Sequence, residues 1–177
     1  LSSRTTLLKI ENLSIFMQDQ PLLEGLNLHL QAGDTLAIVG ESGSGKTISC
    51  LAMMGLLPEK LKTSGRIIID SKNILETDEK TKTHIRGRQI AMIFQEPSTA
   101  LNPLHRVEKI VGEHFILQGW SKAKAQQQVI QLLKDVGITN PKHILKRYSH
   151  ELSGGQKQRI MIATALALHP KILIADE

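Results

Sequence analysis

The chain's 177 residues, 41% of them apolar, suit one globular domain with a subdomain and are too apolar for a disordered chain. One cysteine excludes an internal disulfide, five aromatic residues argue against a surface that stacks on single-stranded bases, and no apolar run approaches the ~18 residues of a membrane span. The net charge of +5 is concentrated: residues 121–160 hold eight Lys/Arg against two acids, a stretch that can meet phosphate, anionic lipid or nucleic acid and is otherwise a solvated helical face.

Leu7–Ile15 and Leu26–Leu30 read as strands joined by a polar turn around Gln18–Pro21. Thr35–Val39, a short apolar run bounded by glycines, predicts a buried strand. Lys46–Leu57 predicts a helix ending near Pro58. Arg66–Asp70 and Ile90–Phe94 follow as strands. Pro97 and Pro103 then punctuate a loop. Val107–Leu117, Lys122–Val136 and Leu152–Leu168 carry apolar residues at helical spacing, the last with Ser153 as N-cap. Lys171–Ala175 predicts a final buried strand. This order predicts an α/β core with a helical subdomain at 96–155.

Gly40-Glu41-Ser42-Gly43-Ser44-Gly45-Lys46-Thr47 fits the phosphate-loop pattern G-x-x-x-x-G-K-[ST] between a predicted strand and a predicted helix. Glycines let the backbone wrap and aim N–H groups at phosphate oxygens, and the helix adds its positive end. Lys46 reaches the β- and γ-phosphates, and the Thr47 hydroxyl suits Mg²⁺. The pattern predicts a nucleoside triphosphate with Mg²⁺. Near the other end, an apolar strand delivers Asp176 and Glu177. Asp176 suits Mg²⁺ support, and Glu177 can polarise an attacking water as general base. Cys50, one turn into the helix, reads as a packed side chain.

Leu152-Ser153-Gly154-Gly155-Gln156 opens a helix with a hydroxyl and backbone N–H groups, a second place for an anion. This segment shortly before an apolar-strand Asp-Glu resembles the signature of the ATP-binding cassette (ABC) ATPases. Gln95, after the strand Ile90–Phe94, resembles the family's Q-loop glutamine. The resemblance runs from Leu7 to Glu177. It implies a P-loop NTPase core, residues 1–95 and 156–177, with an N-terminal antiparallel β subdomain and the helical subdomain at 96–155. It also implies a head-to-tail dimer with a second ABC ATPase domain. There Ser153, Gly154, Gly155 and Gln156 face the ATP held by the partner, and Gln95 senses Mg²⁺ and water. Catalysis falls to Lys46, Gln95 and Glu177.

Phe94-Gln95-Glu96-Pro97, Leu101-Asn102-Pro103-Leu104 and Tyr148-Ser149-His150-Glu151 narrow the resemblance to oligopeptide, dipeptide and nickel importer ATPases, some of which carry two cassettes in tandem. That implies transmembrane permease subunits as partners, a solute-binding protein indirectly, and a peripheral place on the cytoplasmic face of the plasma membrane, with no nucleic acid expected. The family's adenine-stacking aromatic is replaced by Met17. Either Met17 packs on the base or a local bulge turns Phe16 inward. The family's D-loop and γ-phosphate histidine would follow Glu177, which predicts a piece cut within its catalytic site, with weak or no turnover by itself. The seven histidines read as surface or structural groups. Chromosome-structure or DNA-repair heads with long coiled coils are disfavoured, because Gln95 and Leu152 leave room for a few helices only. An ABC-type translation factor is disfavoured by the segment Gln95–Leu104.

Overall fold

A computed structural model describes residues 4–176, so Glu177 lies outside the described residues. The chain divides into two compact units, Leu1–Ile90 and Ala91–Glu177.

In the first unit β1 (Thr6–Met17) and β2 (Gln20–Gln31) form an antiparallel hairpin turning at Gln18 and Asp19, both at positive φ. After α1 (Lys46–Met53), β3 (Leu61–Ile69) and β4 (Lys72–Asn73) complete a four-stranded antiparallel sheet in the order β2-β1-β3-β4. Burial along β1 explains its shape. Leu8 and Ile10 point inward, and so do Leu13 and Ile15, so the alternation slips by one residue between them. The slip is a bulge: the register to both neighbours shifts there and Asn12 has φ 47°. Opposite it, Gly65 at φ 88° presses its Cα against the backbone of Glu11 and Asn12, where a Cβ has no room.

Thr35–Val39 departs from the expectation of a buried strand. It forms no ladder among the described residues, and Leu36 and Val39 are 50% and 88% exposed. An apolar run becomes a strand only when a neighbour takes its N–H and C=O groups. Helix α1 also stops short of Leu57, where Gly55 at φ 62° breaks the spiral. A helix that the sequence reading omits, α2 (Glu79–Ile85), is N-capped by Asp78, whose Oδ1 accepts from Thr81 N–H at 2.8 Å. Arg86, just past it, donates to the carbonyls of Met54 and Gly55, both at 2.8 Å, and pairs with Glu79 at 2.6 Å.

The second unit builds on β5 (Ile90–Ile93), α3 (Pro97–Ala100), α4 (Val107–Leu117), α5 (Lys122–Asp135), α6 (Pro141–Ile144), α7 (Gly154–Leu166) and β6 (Ile172–Ala175). Its helices bury one stripe each: Val107, Val111 and Phe115 from α4, Val129, Leu132 and Leu133 from α5, Ile160, Met161 and Ala163 from α7. Gly112 lets α4 approach α5, since a Cβ there would stand 3.3 Å from Val129 Cγ2. Trp120 closes the α4–α5 turn against Phe115, ring centroids 5.0 Å apart, with Lys124 Nζ 3.9 Å from the indole centre. Strand β6 pairs with β5, but only its Ile172 is fully buried, and Leu173 is 45% exposed.

Candidate functional site

In the first unit the glycine-rich segment forms an exposed loop feeding α1. Gly43 and Gly45 sit at φ 82° and 94°, the left-handed region glycine occupies without steric cost. A Cβ on Gly40 would meet the Ser44 side chain, and one on Gly45 would press on Leu23 and the Leu22 carbonyl, so Gly45 is held by space as well as by φ. Gly45 caps α1 with its backbone only, and no acid occupies the first turn. The positive end of α1 therefore faces the loop uncompensated by a carboxylate. Lys46 Nζ folds back over the loop, donating to the carbonyls of Gly40 at 2.7 Å and Glu41 at 2.9 Å. One ammonium and a helix N-terminus thus meet in a loop whose backbone leaves open space, an arrangement suited to polyphosphate. Ser42, Gly43, Ser44 and Thr47 are exposed in the same loop, and Cys50 behind them is buried, as expected of a packed side chain.

At the far end of β1, the register to β2 shifts between Ile15 and Phe16. Ile15 is fully buried, Phe16 half-buried, and Met17 is 39% exposed beside the hairpin turn. Phe16 and Met17 stay in regular register with β3, opposite Lys62 and Leu61, and Met17 is the more open of the two side chains.

In the second unit, Ser153 N-caps α7 in a reciprocal box. Its Oγ accepts from Gln156 N–H at 3.3 Å, and its own N–H donates to Gln156 Oε1 at 3.1 Å. Because Oγ serves the cap as acceptor, its O–H proton remains available to donate outward. Gly154 and Gly155 are exposed and a Cβ on either would meet nothing within 4 Å, so a ligand can approach the backbone closely. No acid lies in this first turn either. The strand ends of β5 and β6 lie together, Asp176 N–H donating to the Ile93 carbonyl at 3.1 Å. Gln95 and Asp176 thus leave one end of the same two-stranded sheet, both beyond the last paired residue. Glu177 falls outside the described residues.

The histidines are mostly tied up structurally: His29 with Thr6, His105 with Lys109, His143 with Arg147, and His150 stacked on Tyr148. His114, half-buried in α4, has its pKa pushed below the usual 6.5 by burial, with the nearby Glu113 carboxylate opposing. The sequence reading gave Arg147 and Arg159 no ligand role; the two come together only in the fold, where both line one pocket.

A phosphate loop opening a helix, with a second capped and carboxylate-free helix N-terminus in the same chain, defines a P-loop nucleotide-binding protein of the cassette type. Residues 23–177 match the ABC transporter family, and the chain belongs to it. It is 48% identical over 158 residues to the peptidoglycan transport ATP-binding protein YejF of Agrobacterium fabrum, covering 88% of this chain and 29% of that protein. It is 42% identical over 180 residues to the oligopeptide transport ATP-binding protein OppD of Bacillus subtilis, covering 98% of this chain and 50% of that one. The chain therefore spans half or less of the length of these two relatives. Among solved structures, a dimeric post-hydrolysis state of the ATP-binding cassette MJ0796 bound to ADP and Pi resembles it with a TM-score of 0.82 at 28% identity, over 96% of this chain and 73% of that one.

Proposed function

We propose that this chain is the ATP-binding and ATP-hydrolysing part of an importer for peptides. The observation that carries it is the pairing, within one chain, of the Gly40–Thr47 loop under Lys46 with the Ser153-capped helix start. Relatives named as oligopeptide transport and peptidoglycan transport ATP-binding proteins support the class of cargo. The loop backbone and Lys46 grip the β- and γ-phosphates, and the open end of β1, Phe16 and Met17, takes the base. The Ser153 hydroxyl and the N–H groups of Gly154, Gly155 and Gln156 take the γ-phosphate carried by a second cassette in a head-to-tail dimer. Charge on the transferring phosphoryl group is then met by these ammonium, hydroxyl and backbone donors.

As the resemblance implies, the Thr47 hydroxyl, the Gln95 amide carbonyl and the Asp176 carboxylate are each proposed as hard-oxygen ligands of the kind Mg²⁺ takes alongside phosphate oxygens. No cluster of three His, Cys, Asp or Glu occurs among the described residues, which fits a cation held largely by its substrate and not by an all-protein cage. Bound Mg²⁺ would supply neutralisation of phosphate charge. Glu177 draws the proton from the attacking water. The partners are permease subunits spanning the membrane, with a solute-binding protein acting through them. No helix of the described residues is long and apolar enough to cross a membrane; a peripheral place on the cytoplasmic face is what the resemblance implies.

The test is Glu177→Gln in the assembled transporter. ATP binding persists, turnover falls by about 10²–10⁴ as expected for loss of a general base, and ATP-bound dimers accumulate. Wild-type turnover would contradict the assignment.

A further inference from the structure

The basic excess of residues 121–160 is not used by the nucleotide reading, and the structure gives part of it a shape. In the second unit the loop between α5 and α6 and the start of α7 line an open pocket of about 280 Å³. Gly137, Asn140, His143, Arg147, Gln156 and Arg159 line it, and no Asp or Glu does. Three nitrogen-rich side chains therefore converge on one small space. Neither guanidinium has an ion-pair partner among the described residues. Arg159 Nη1 donates to the Val136 carbonyl at 2.5 Å, and Gly137 at φ 79° leaves that guanidinium the space a Cβ would fill. Arg147 donates through Nη1 to the Glu151 carbonyl at 3.3 Å and through Nη2 to His143 Nε2 at 2.8 Å. These acceptors fix the two groups in place without neutralising them. Lys142 and Lys146, both exposed next to His143 and Arg147, add positive potential around the mouth.

His143 and Arg159 are exposed and Arg147 is half-buried, so their donors are open to an incoming anion, and planar guanidinium groups match the paired oxygens of phosphate. The volume lies just under the range of about 300–1,000 Å³ that drug-sized ligands take. We propose that this pocket is an oxyanion site for a phosphate group, with Arg147, Arg159 and His143 as its donors. Its three donors are none of the residues assigned to ATP, although Gln156, which caps α7, also lines it.

The experiment follows backbone amide shifts of the 177-residue chain as inorganic pyrophosphate is added, in a Lys46→Ala background that silences the phosphate loop. Saturable shifts at Gly137, Thr139, Asn140 and Arg147 are expected. Arg147→Gln weakens binding about tenfold or more, whereas Lys134→Gln, an equal loss of charge at an exposed position on α5, leaves it within about twofold. His143→Gln gives an intermediate loss, and circular dichroism checks that each variant is folded. If Arg147→Gln is unfolded, Arg147→Lys replaces it, keeping the charge but losing the fork and hence part of the affinity. Parallel titration with phosphatidylglycerol vesicles separates sources: the same amides shifting with vesicles assigns a lipid headgroup phosphate, and shifts with pyrophosphate alone assign a free one. Shifts that never saturate, or equal losses in Arg147→Gln and Lys134→Gln, would overturn the site and leave diffuse basic charge.

Discussion

Ser153 carries two duties that substitution can separate. Its Oγ accepts the Gln156 N–H and caps α7, while its O–H proton is assigned to a phosphate on the partner cassette. Ser153→Ala removes both. Loss of an N-cap side chain costs about 1 kcal/mol, within a range of about 0.5–2. The Gln156 side chain, which bonds Ser153 N–H, keeps its own bond, so the cost falls near the middle of that range. In a chain of this size that corresponds to a Tm lower by roughly 2–4 °C. Ser153→Asp restores the cap acceptor and places a negative charge at the positive helix end, so stability returns to within about 0.5 kcal/mol of wild type. The same charge repels phosphate, so Ser153→Asp still fails to form the ATP-bound dimer. Thermal melts followed at 222 nm, with ATP-dependent association measured by analytical ultracentrifugation, read the two duties independently. The reasoning fails if Ser153→Asp melts as low as Ser153→Ala, or if it dimerises with ATP like wild type.

Leu133 is fully buried among α4, α5 and α7 side chains, so Leu133→Ala lowers unfolding stability by about 2–5 kcal/mol, read as a shifted urea midpoint with the slope unchanged. A loss under about 1 kcal/mol would mean the helical core is not packed as described. His114 gives a pH signature. Its pKa lies below 6.5 in the folded chain because burial disfavours the charged ring. The unfolded chain therefore binds the proton first as pH falls below 6.5, so this contribution to stability is full above 6.5 and declines as pH drops toward the lowered value. His114→Gln flattens that part of the stability–pH curve, and an unchanged slope in urea titrations just below pH 6.5 would refute the burial argument.

Elements with their own periodicity were readable from sequence. Val107–Leu117 and Lys122–Asp135 repeat apolar residues every three or four positions, and Ser153 ahead of Gln156 marked the α7 cap. The β1–β2 hairpin was legible for the same reason, though not the slip at Asn12, because a bulge appears only once Gly65 stands opposite. Helix α2 was missed because Glu79–Ile85 buries only Ile85, and a polar helix held by Asp78 and Arg86 has no apolar stripe to read. Thr35–Val39 went wrong in the opposite sense: the residues have strand character, but a strand is a property of two segments. The phosphate loop was legible almost residue by residue, since φ > 0 and close packing demand glycine at fixed spacing. The Arg147–Arg159 pocket was not, because its walls come from three separate stretches of chain.

The central claim is that Lys46 and the Gly40–Thr47 loop hold the phosphates of ATP. Isothermal titration of the chain with Mg-ATP, wild type against Lys46→Ala, tests it directly. Removing an ammonium that is hydrogen-bonded to a charged phosphate is expected to weaken binding by about tenfold or more. Equal affinity in the two proteins would contradict the account.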